Sequence, residues 1–341
     1  MVLSVLALSR LSIVPASVDA WQGQHVIIIG VDGLSVDTVS TAPVPRLRGL
    51  ILRSAWTLEA RGVMPTLSSP NWASAINGAA PEQHGTTSNG WLLHKVELQS
   101  TCRAEDGKFP TIFGLLRSGY PASRIAVFQD WPGFSDLLEN QVPDILRHEP
   151  GAARTTEAAI RYWKENRPAL MFIHLDNVVH AGHSHGWYSK VYFKAVEVAD
   201  GYIGQVIEMI DGLPVRDSTF ILVTSDHGGT SYGHGKNSLA EILIPWILAG
   251  PGVAPGLIIA PVNTFYTALT VAWIFHLGPP QCWIGRPVLA VFRQSSTLAH
   301  AGASRPAAPP ECGQDRQLPS VVVTRLPGTK GAGGVPAGQI H

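Results

Sequence analysis

Six residues whose side chains are of types that can bind metal ions lie where the chain leaves an apolar run or enters a glycine-rich loop. They are Asp32, Asp176, His180, Asp226, His227 and His234. Carboxylate oxygens and imidazole nitrogens are the ligands of zinc sites and of mixed zinc or manganese sites. A single aspartate at such a position usually caps a helix or forms a turn, but three of them with adjacent histidines are harder to explain in that way. The residues therefore predict a metal centre.

A hydroxyl group that could act as a nucleophile lies in the segment MPTLSSPNWASAINGAAPEQHGTTSNGW, residues 64–91. Pro70 suits the first position of a helix, with Ser69 as its N-cap and Ser68 just outside the helix. The free N–H groups and partial positive charge of a helix N-terminus favour an alkoxide and a bound phosphate. On this segment alone, both serines can also be interpreted as capping residues.

Five short β-branched runs, each ending in a polar or glycine-containing turn, must position these side chains. They are Val26–Asp32, Ile125–Asp130, Ala169–Asp176, Phe220–Asp226 and Ile244–Gly250. Such runs predict strands buried on both faces, and apolar residues at steps of three and four predict a helix over Val191–Ile210. We therefore expect an α/β fold with a mostly parallel central sheet flanked by helices. Ligands of such sheets bind beyond the carboxyl ends of the strands, where the three aspartates stand.

The composition excludes several functional classes. The 341 residues carry 25 Lys+Arg against 25 Asp+Glu, so the formal net charge is zero and no nucleic-acid-binding surface is expected. Charged residues make up 15 % and hydrophobic residues 45 %, which is enough apolar material for a large core. No apolar run reaches the roughly 18 residues of a membrane-spanning helix, so no transmembrane segment is expected. The oligomeric state is left open.

Both ends of the chain differ from its middle. Residues 1–20 are apolar and end in Val18-Asp19-Ala20, which predicts a signal peptide and a secreted, periplasmic or otherwise extracytoplasmic protein, although Arg10 interrupts the apolar stretch. Residues 295–341 contain 7 Gly and 6 Pro, which predicts a disordered tail. A single hydrolase-type domain is expected over 21–294. Three widely spaced cysteines, Cys102, Cys282 and Cys312, indicate neither a disulfide framework nor a CxxC motif.

Several blocks of sequence, in order, carry a resemblance to a known family. They are VDG after the first strand, a hydroxyl residue two places before Pro70-Asn71, PEQHG with Asn89 downstream, LDNVVHAGH, SDHGG, and GHGKNSLAEILIPWILAGPG. Together they extend over roughly residues 24–292. The chain resembles the alkaline phosphatase superfamily, and is closest to its type I phosphodiesterase/nucleotide pyrophosphatase branch.

The resemblance implies a role for each matching residue. Ser68 would be the nucleophile, and Asn89 would donate a hydrogen bond to a phosphoryl oxygen. One divalent ion would be bound by Asp176, His180 and His234, and the other by Asp32, Asp226 and His227, with Ser68 reaching toward the second. Both ions are expected to be Zn²⁺, and no organic cofactor is implied.

The implied function is metal-dependent hydrolysis of a small phosphoester or nucleotide through a covalent phosphoseryl or nucleotidyl-seryl intermediate. Because the branch usually carries Thr where this chain has Ser68, a phosphomonoesterase of the same superfamily is the alternative. A non-enzymatic, phosphatase-like binding protein is a further alternative from a different class. The retention of Ser68, Asn89 and all six metal-binding residues argues against it.

Other residues near these motifs allow two interpretations. His183 is an alternative metal ligand to His180, although the offset of four residues from Asp176 favours His180. Three tryptophans, Trp72, Trp91 and Trp187, could stack on a substrate ring, but packing between helices and sheet is the favoured interpretation. Packing or supporting roles are also expected for His84, His174 and His185.

Overall fold

Eight strands form one sheet in the computed structural model, which describes residues 23–258 and 260–293. The strands are β1 His25–Val31, β2 Ala55–Arg61, β3 Ile125–Gln129, β4 Ile145–His148, β5 Leu170–Leu175, β6 Thr219–Thr224, β7 Leu243–Ala249 and β8 Gly256–Leu257. Five of them are the strands predicted from the β-branched runs. The other three, β2, β4 and β8, lack such a run.

Ten α-helices lie in the described ranges. They are α1 Val36–Thr41, α2 Pro45–Ile51, α3 Ser68–Asn77, α4 Pro81–His84, α5 Ile112–Gly119, α6 Ala152–Asn166, α7 Asn177–His185, α8 Lys190–Asp211, α9 Leu239–Ile242 and α10 Tyr266–Ile274. Short 3₁₀ turns cover Pro132–Leu137, Pro214–Ser218 and Leu289–Val291. The helix predicted over Val191–Ile210 is confirmed as α8, which Ser189 caps by accepting a hydrogen bond from the N–H of Tyr192.

The strands follow the order β4-β3-β5-β1-β6-β7-β2-β8 across the sheet. All neighbouring pairs are parallel except β6–β7 and β7–β2, so β7 alone runs in the opposite direction. This arrangement confirms the predicted α/β fold with a mostly parallel sheet. Because β5, β1 and β6 are adjacent and parallel, their carboxyl ends meet at the centre of one sheet edge.

Alternate residues of each strand face opposite sides of the sheet, and each side is covered by its own helices. Val26 and Ile28 of β1 belong to a buried cluster that includes residues of α3, α5 and α10. Ile27 and Ile29 belong to a second cluster with residues of α2, α6, α7 and α8. Burial on both faces explains why these strands are almost continuously apolar.

Cys102 and Cys282 form a disulfide bond, with their Cα atoms 6.1 Å apart across a sequence separation of 180 residues. The expectation that the cysteines offer no disulfide is therefore wrong. The spacing hid the pair because only the packing of the segment after Asn89 beside the loop that follows α10 brings the two sulfurs together.

The expected signal peptide at 1–20 and the expected disordered tail at 295–341 lie outside the described residues, as does Cys312. Among the residues that the structure describes, no helix has both the length and the apolar character needed to cross a lipid bilayer.

Candidate active site

The three aspartates predicted to bind metal lie together beyond the carboxyl ends of neighbouring strands. Asp32 follows β1, Asp176 follows β5 and Asp226 stands two residues after β6. The N–H of Asp32 donates to the carbonyl of Leu175 at 2.9 Å, which continues the β1–β5 pairing up to the site. All three side chains are buried or nearly so. The sheet therefore concentrates negative charge at one point of its edge.

Ser68, Asp32, Asp226 and His227 form the most compact group at this edge. The Ser68 hydroxyl lies 3.3 Å from His227 Nε2 and 3.5 Å from Asp32 Oδ1. His227 Nε2 is 3.2 Å from Asp226 Oδ2 and 3.5 Å from Asp32 Oδ1. The sequence-predicted set of Asp32, Asp226 and His227, with Ser68 next to it, is thus brought together within hydrogen-bonding range.

The donor atoms of this group suit a cation. His227 donates its Nδ1 proton to the carbonyl of Gly228 at 2.7 Å, so a neutral ring presents a bare lone pair at Nε2. Asp226 Oδ2 is buried without a hydrogen-bond partner. Buried carboxylate oxygens and a bare imidazole nitrogen that face one another repel unless a positive ion lies between them. Asp32, Asp226 and His227 each offer one atom within 4.8 Å of the others, which fits a metal ion.

The pKa values reflect this crowding. Burial and the nearby charge of Asp32 raise the pKa of Asp226 well above its ordinary value. Burial acts in the same direction on Asp32, but opposing interactions, the largest of them the hydrogen bond from His174, outweigh it and lower the pKa of Asp32. Burial lowers the pKa of His227 to about 4, so its ring is neutral at pH 7. A neutral imidazole is the metal-binding form of histidine.

Two donors hold the second carboxylate oxygen of Asp32. Trp72 Nε1 donates to Asp32 Oδ2 at 2.9 Å, and His174 Nε2 lies 3.2 Å from the same oxygen. Trp72 reaches this position by lying against β1 at Gly30, where a Cβ atom would be 2.5 Å from its ring. This close approach explains a glycine inside a buried strand. Both donors turn Oδ1 of Asp32 toward Ser68.

His174 also belongs to a second possible metal-binding group. It offers one ligand atom within 4.8 Å of atoms of Asp32 and Asp176. Its Nδ1 atom is buried without a partner, and its Nε2–H is directed at the Asp32 carboxylate. The geometry suits a residue that orients Asp32, in line with the supporting role expected from the sequence.

The remaining predicted metal-binding residues form two separate pairs. His180 Nε2 lies 2.7 Å from Asp176 Oδ2, and this hydrogen bond raises the pKa of His180, whose side chain is 74 % exposed. His234 Nε2 lies 3.2 Å from Nε2 of His183, and the His234 ring stacks on His227 with centroids 3.7 Å apart. The structure therefore brings His234 to His227 and His183, and brings His180 to Asp176.

Ser68 is the first residue of α3, with Leu67 as the N-cap. The expectation that Ser69 caps the helix and that Pro70 is its first residue is therefore wrong, because the helix begins two residues earlier. The reason is that the cap is made without a side chain, because the extended backbone of Leu67 supplies the carbonyl that accepts the N–H of Asn71 at 3.2 Å. The Ser69 N–H donates to Asn89 Oδ1 at 2.9 Å, so Asn89 lies at the same helix end.

Sequence reasoning missed one buried acid in this region, Glu241, which contacts the loops carrying His227 and His234. A charged residue with no exposed surface is unusual, but its sequence context, SLAEILIP, resembles the start of a strand and gives no signal of that burial.

The three tryptophans are all buried, as the packing interpretation predicts, and His84 is buried with its Nε2 2.9 Å from the Ser74 hydroxyl.

Comparison with known proteins places this chain among phosphoester-processing relatives. Human ectonucleotide pyrophosphatase/phosphodiesterase family member 1 is 25 % identical over 217 residues, which are 59 % of this chain and 23 % of that protein. GPI ethanolamine phosphate transferase 1 of Gibberella zeae is 26 % identical over 229 residues, 64 % of this chain and 23 % of that protein. The chain thus spans about a quarter of the length of these curated relatives.

Solved structures share the fold. An inactive variant of murine ectonucleotide pyrophosphatase/phosphodiesterase 5, in complex with AMP, superposes with a TM-score of 0.66 at 13 % identity, covering 79 % of this chain and 98 % of that one. The sequence profile described as type I phosphodiesterase / nucleotide pyrophosphatase matches residues 26–245, which is more than half of the chain. The chain belongs to the type I phosphodiesterase / nucleotide pyrophosphatase family.

Proposed function

We propose that the protein is a metal-dependent phosphoester hydrolase, of the phosphodiesterase or nucleotide pyrophosphatase type, that uses Ser68 as its nucleophile. The observation that carries the proposal is the position of the Ser68 hydroxyl, at a helix N-terminus and within 3.5 Å of both Asp32 and His227. A serine hydroxyl is a weak nucleophile until it loses its proton. A cation bound next to it favours the alkoxide form, which can attack phosphorus. The family match supports the same chemistry.

The proposed metal centre holds two divalent ions, with Zn²⁺ as the expected metal. Asp32, Asp226 and His227 hold the ion next to Ser68, and the orphaned Oδ2 atom of Asp226 supports this assignment. The sequence places the second ion at Asp176, His180 and His234, but the 3.2 Å contact between His183 and His234 favours His183 in place of His180. When bound, such ions lower the pKa of the serine hydroxyl and stabilise negative charge on the transferring phosphoryl group.

Ser68 then attacks the phosphorus atom in line with the leaving oxygen, and the bond to that oxygen breaks as the Ser68–phosphorus bond forms. The resulting phosphoseryl or nucleotidyl-seryl intermediate is hydrolysed by water, which restores the Ser68 hydroxyl. Asn89 is an exposed residue that accepts from the Ser69 N–H through Oδ1, which leaves its Nδ2 group to donate to a phosphoryl oxygen. The N-terminus of α3 adds a partial positive charge at the same point.

Turnover on two model esters tests the proposal. The purified protein should hydrolyse bis-p-nitrophenyl phosphate or p-nitrophenyl phosphate, EDTA should abolish turnover, and Zn²⁺ should restore it. A faster rate on the diester supports the phosphodiesterase assignment, and a faster rate on the monoester supports the phosphomonoesterase alternative. Absence of bound metal after native purification, together with no turnover, would contradict both and favour a binding protein.

We also propose an extracytoplasmic location and a small phosphoester or nucleotide substrate. The disulfide between Cys102 and Cys282 supports the location, because such bonds persist mainly in oxidising compartments. Free thiol titration of protein isolated from its native compartment tests it: a disulfide that is fully formed supports the proposal.

A further inference from the structure

We propose that Glu241 is a positioning residue that fixes the orientation and tautomer of His234 through Thr66. The inference rests on the proposed function in so far as His234 is a metal ligand. Glu241 itself touches neither Ser68 nor any of the predicted ligands through its side chain, so its effect on the site is indirect.

The carboxylate of Glu241 is buried and uses its whole hydrogen-bonding capacity. Oε1 accepts from the hydroxyls of Thr230 and Ser238, both at 3.1 Å. Oε2 accepts from the main-chain N–H of Lys236, and it shares the proton of the Thr66 hydroxyl, 2.9 Å away, with the carbonyl of Lys236, which lies 2.6 Å from the same hydroxyl. Two oxygens with two acceptor sites each are thereby matched to four donors. These donors come from the loop before α3 and from the loop that carries His234.

One of the four donors leads directly to the proposed ligand. The main-chain carbonyl of Thr66 accepts the Nδ1 proton of His234 at 2.7 Å, and the Thr66 hydroxyl accepts from the N–H of Gly235 at 3.0 Å. A histidine whose Nδ1–H is held by a carbonyl presents Nε2 as a lone pair, and this outer hydrogen bond sets the ring orientation of a metal ligand. Glu241 therefore positions Thr66, and Thr66 in turn positions the His234 ring.

The backbone of Glu241 serves the other side of the site. Its carbonyl accepts the N–H of Gly228 at 2.9 Å, directly after His227. The loops of both stacked imidazoles, His227 and His234, thus meet at this one residue. A buried acid is costly unless it is fully hydrogen-bonded, and here the four donors together outweigh burial and lower the pKa of Glu241.

Glu241→Gln tests the assignment, because glutamine keeps the shape but replaces one acceptor oxygen with a donor group. Whichever oxygen it replaced, the new NH₂ group would face hydrogen-bond donors, and the link to Thr66 would weaken. Glu139→Gln is the matched control, since Glu139 is also buried and accepts from both the N–H and the hydroxyl of Thr111, which is not one of the proposed site residues. Both variants are expected to lose a similar amount of thermal stability.

Zinc affinity separates the two variants. In competition titrations with a chromophoric chelator, we expect Glu241→Gln to bind one of two zinc ions about 10- to 100-fold more weakly, and Glu139→Gln to bind both as the wild type does. Wild-type affinity for both ions in Glu241→Gln, or equal weakening in both variants, would overturn the proposal. If Glu241→Gln does not fold, Thr66→Val, which removes the hydroxyl that links Glu241 to Lys236 and Gly235, is expected to show the same selective weakening.

The His234 tautomer gives a readout that does not depend on catalysis or metal. In the metal-free protein, imidazole ¹⁵N shifts should report His234 as the Nδ1–H tautomer in the wild type and as a mixture in Glu241→Gln. An unchanged tautomer would count against the role of Glu241. Failure of the wild type to bind zinc would instead count against the proposed function, and the tautomer result would still decide the role of Glu241.

Discussion

The Nε2 atoms of His183 and His234 lie 3.2 Å apart, and each ring donates its Nδ1 proton to a main-chain carbonyl, that of Tyr232 and that of Thr66. Two neutral rings held in this way direct their lone pairs at each other. This arrangement is repulsive unless a proton or a metal ion lies between the nitrogens. A proton or a metal ion between the nitrogens would therefore stabilise this pair, which joins residues 51 positions apart in the sequence.

Substitution of these histidines should distinguish the two candidate ligands. We expect His183→Ala to weaken zinc binding at one site by at least about 10-fold, because it removes a lone pair aimed at His234. His180→Ala is the matched comparison, since its ring is mostly exposed and its Nε2 atom lies 2.7 Å from Asp176 Oδ2. Zinc titration followed by elemental analysis measures the difference. Stronger weakening in His180→Ala than in His183→Ala would restore the ligand set expected from the sequence.

Loss of the Ser68 hydroxyl should abolish turnover. We expect Ser68→Ala to lower kcat by at least about 1,000-fold on either nitrophenyl ester, because no other hydroxyl reaches both Asp32 and His227 in the described structure. Ser69→Ala should keep most activity, since Ser69 contributes its main-chain N–H to Asn89. Initial rates at saturating metal provide the measurement. The opposite ranking would shift the nucleophile by one residue.

Removal of the Asp226 charge should have opposite effects with and without metal. In EDTA, Asp226→Asn is expected to raise the free energy of unfolding by about 1–3 kcal/mol, because an amide can donate toward His227 where an unpartnered buried oxygen now lies. In excess Zn²⁺ the wild type should be the more stable protein, since it binds the ion more tightly. Urea unfolding under both conditions gives the comparison, and a variant less stable in EDTA would contradict the argument.

Acid should destabilise the protein partly through His84, whose pKa burial lowers to about 3 from 6.5. The fold favours the neutral ring, so the stabilisation is complete above pH 6.5 and is lost as the pH falls from 6.5 toward 3. From pH 7.5 to pH 5 this loss is about 2 kcal/mol. Urea unfolding at the two pH values should show it in the wild type and not in His84→Gln, which can still donate to Ser74. An equal loss in both would assign the effect to other groups.

The fold was largely predictable because its central strands are buried on both faces. The nearly continuous β-branched and apolar residues of runs such as Val26–Asp32 and Phe220–Asp226 predict buried strands. By contrast, β2 alternates buried and exposed residues, β4 is mostly exposed and β8 has two residues, so none gives a comparable run. The antiparallel direction of β7 was also hidden, because an apolar run carries no information about direction.

The site was predictable where a strand end dictates position, and less so where a distant loop does. Asp32, Asp176 and Asp226 follow strands that pair side by side, so their convergence follows from the topology. His180 and His183 both lie on α7, three residues apart. Which of them meets His234 depends on where the loop at Tyr232 packs, and that loop has no periodic pattern. The contacts of Glu241 could not be predicted for the same reason, because they depend on how this loop packs.

The disulfide between Cys102 and Cys282 also divides the site into two covalent parts. Residues 102–282 form a closed ring of chain that contains Asp226, whereas Asp32 and Ser68 lie on the arm that precedes the ring. A single proteolytic cut within the ring leaves every fragment joined to the arm, and a non-reducing gel would show one band. Reduction would release the pieces as two. The reacting groups are thus assembled where a linear arm lies across a cyclic chain.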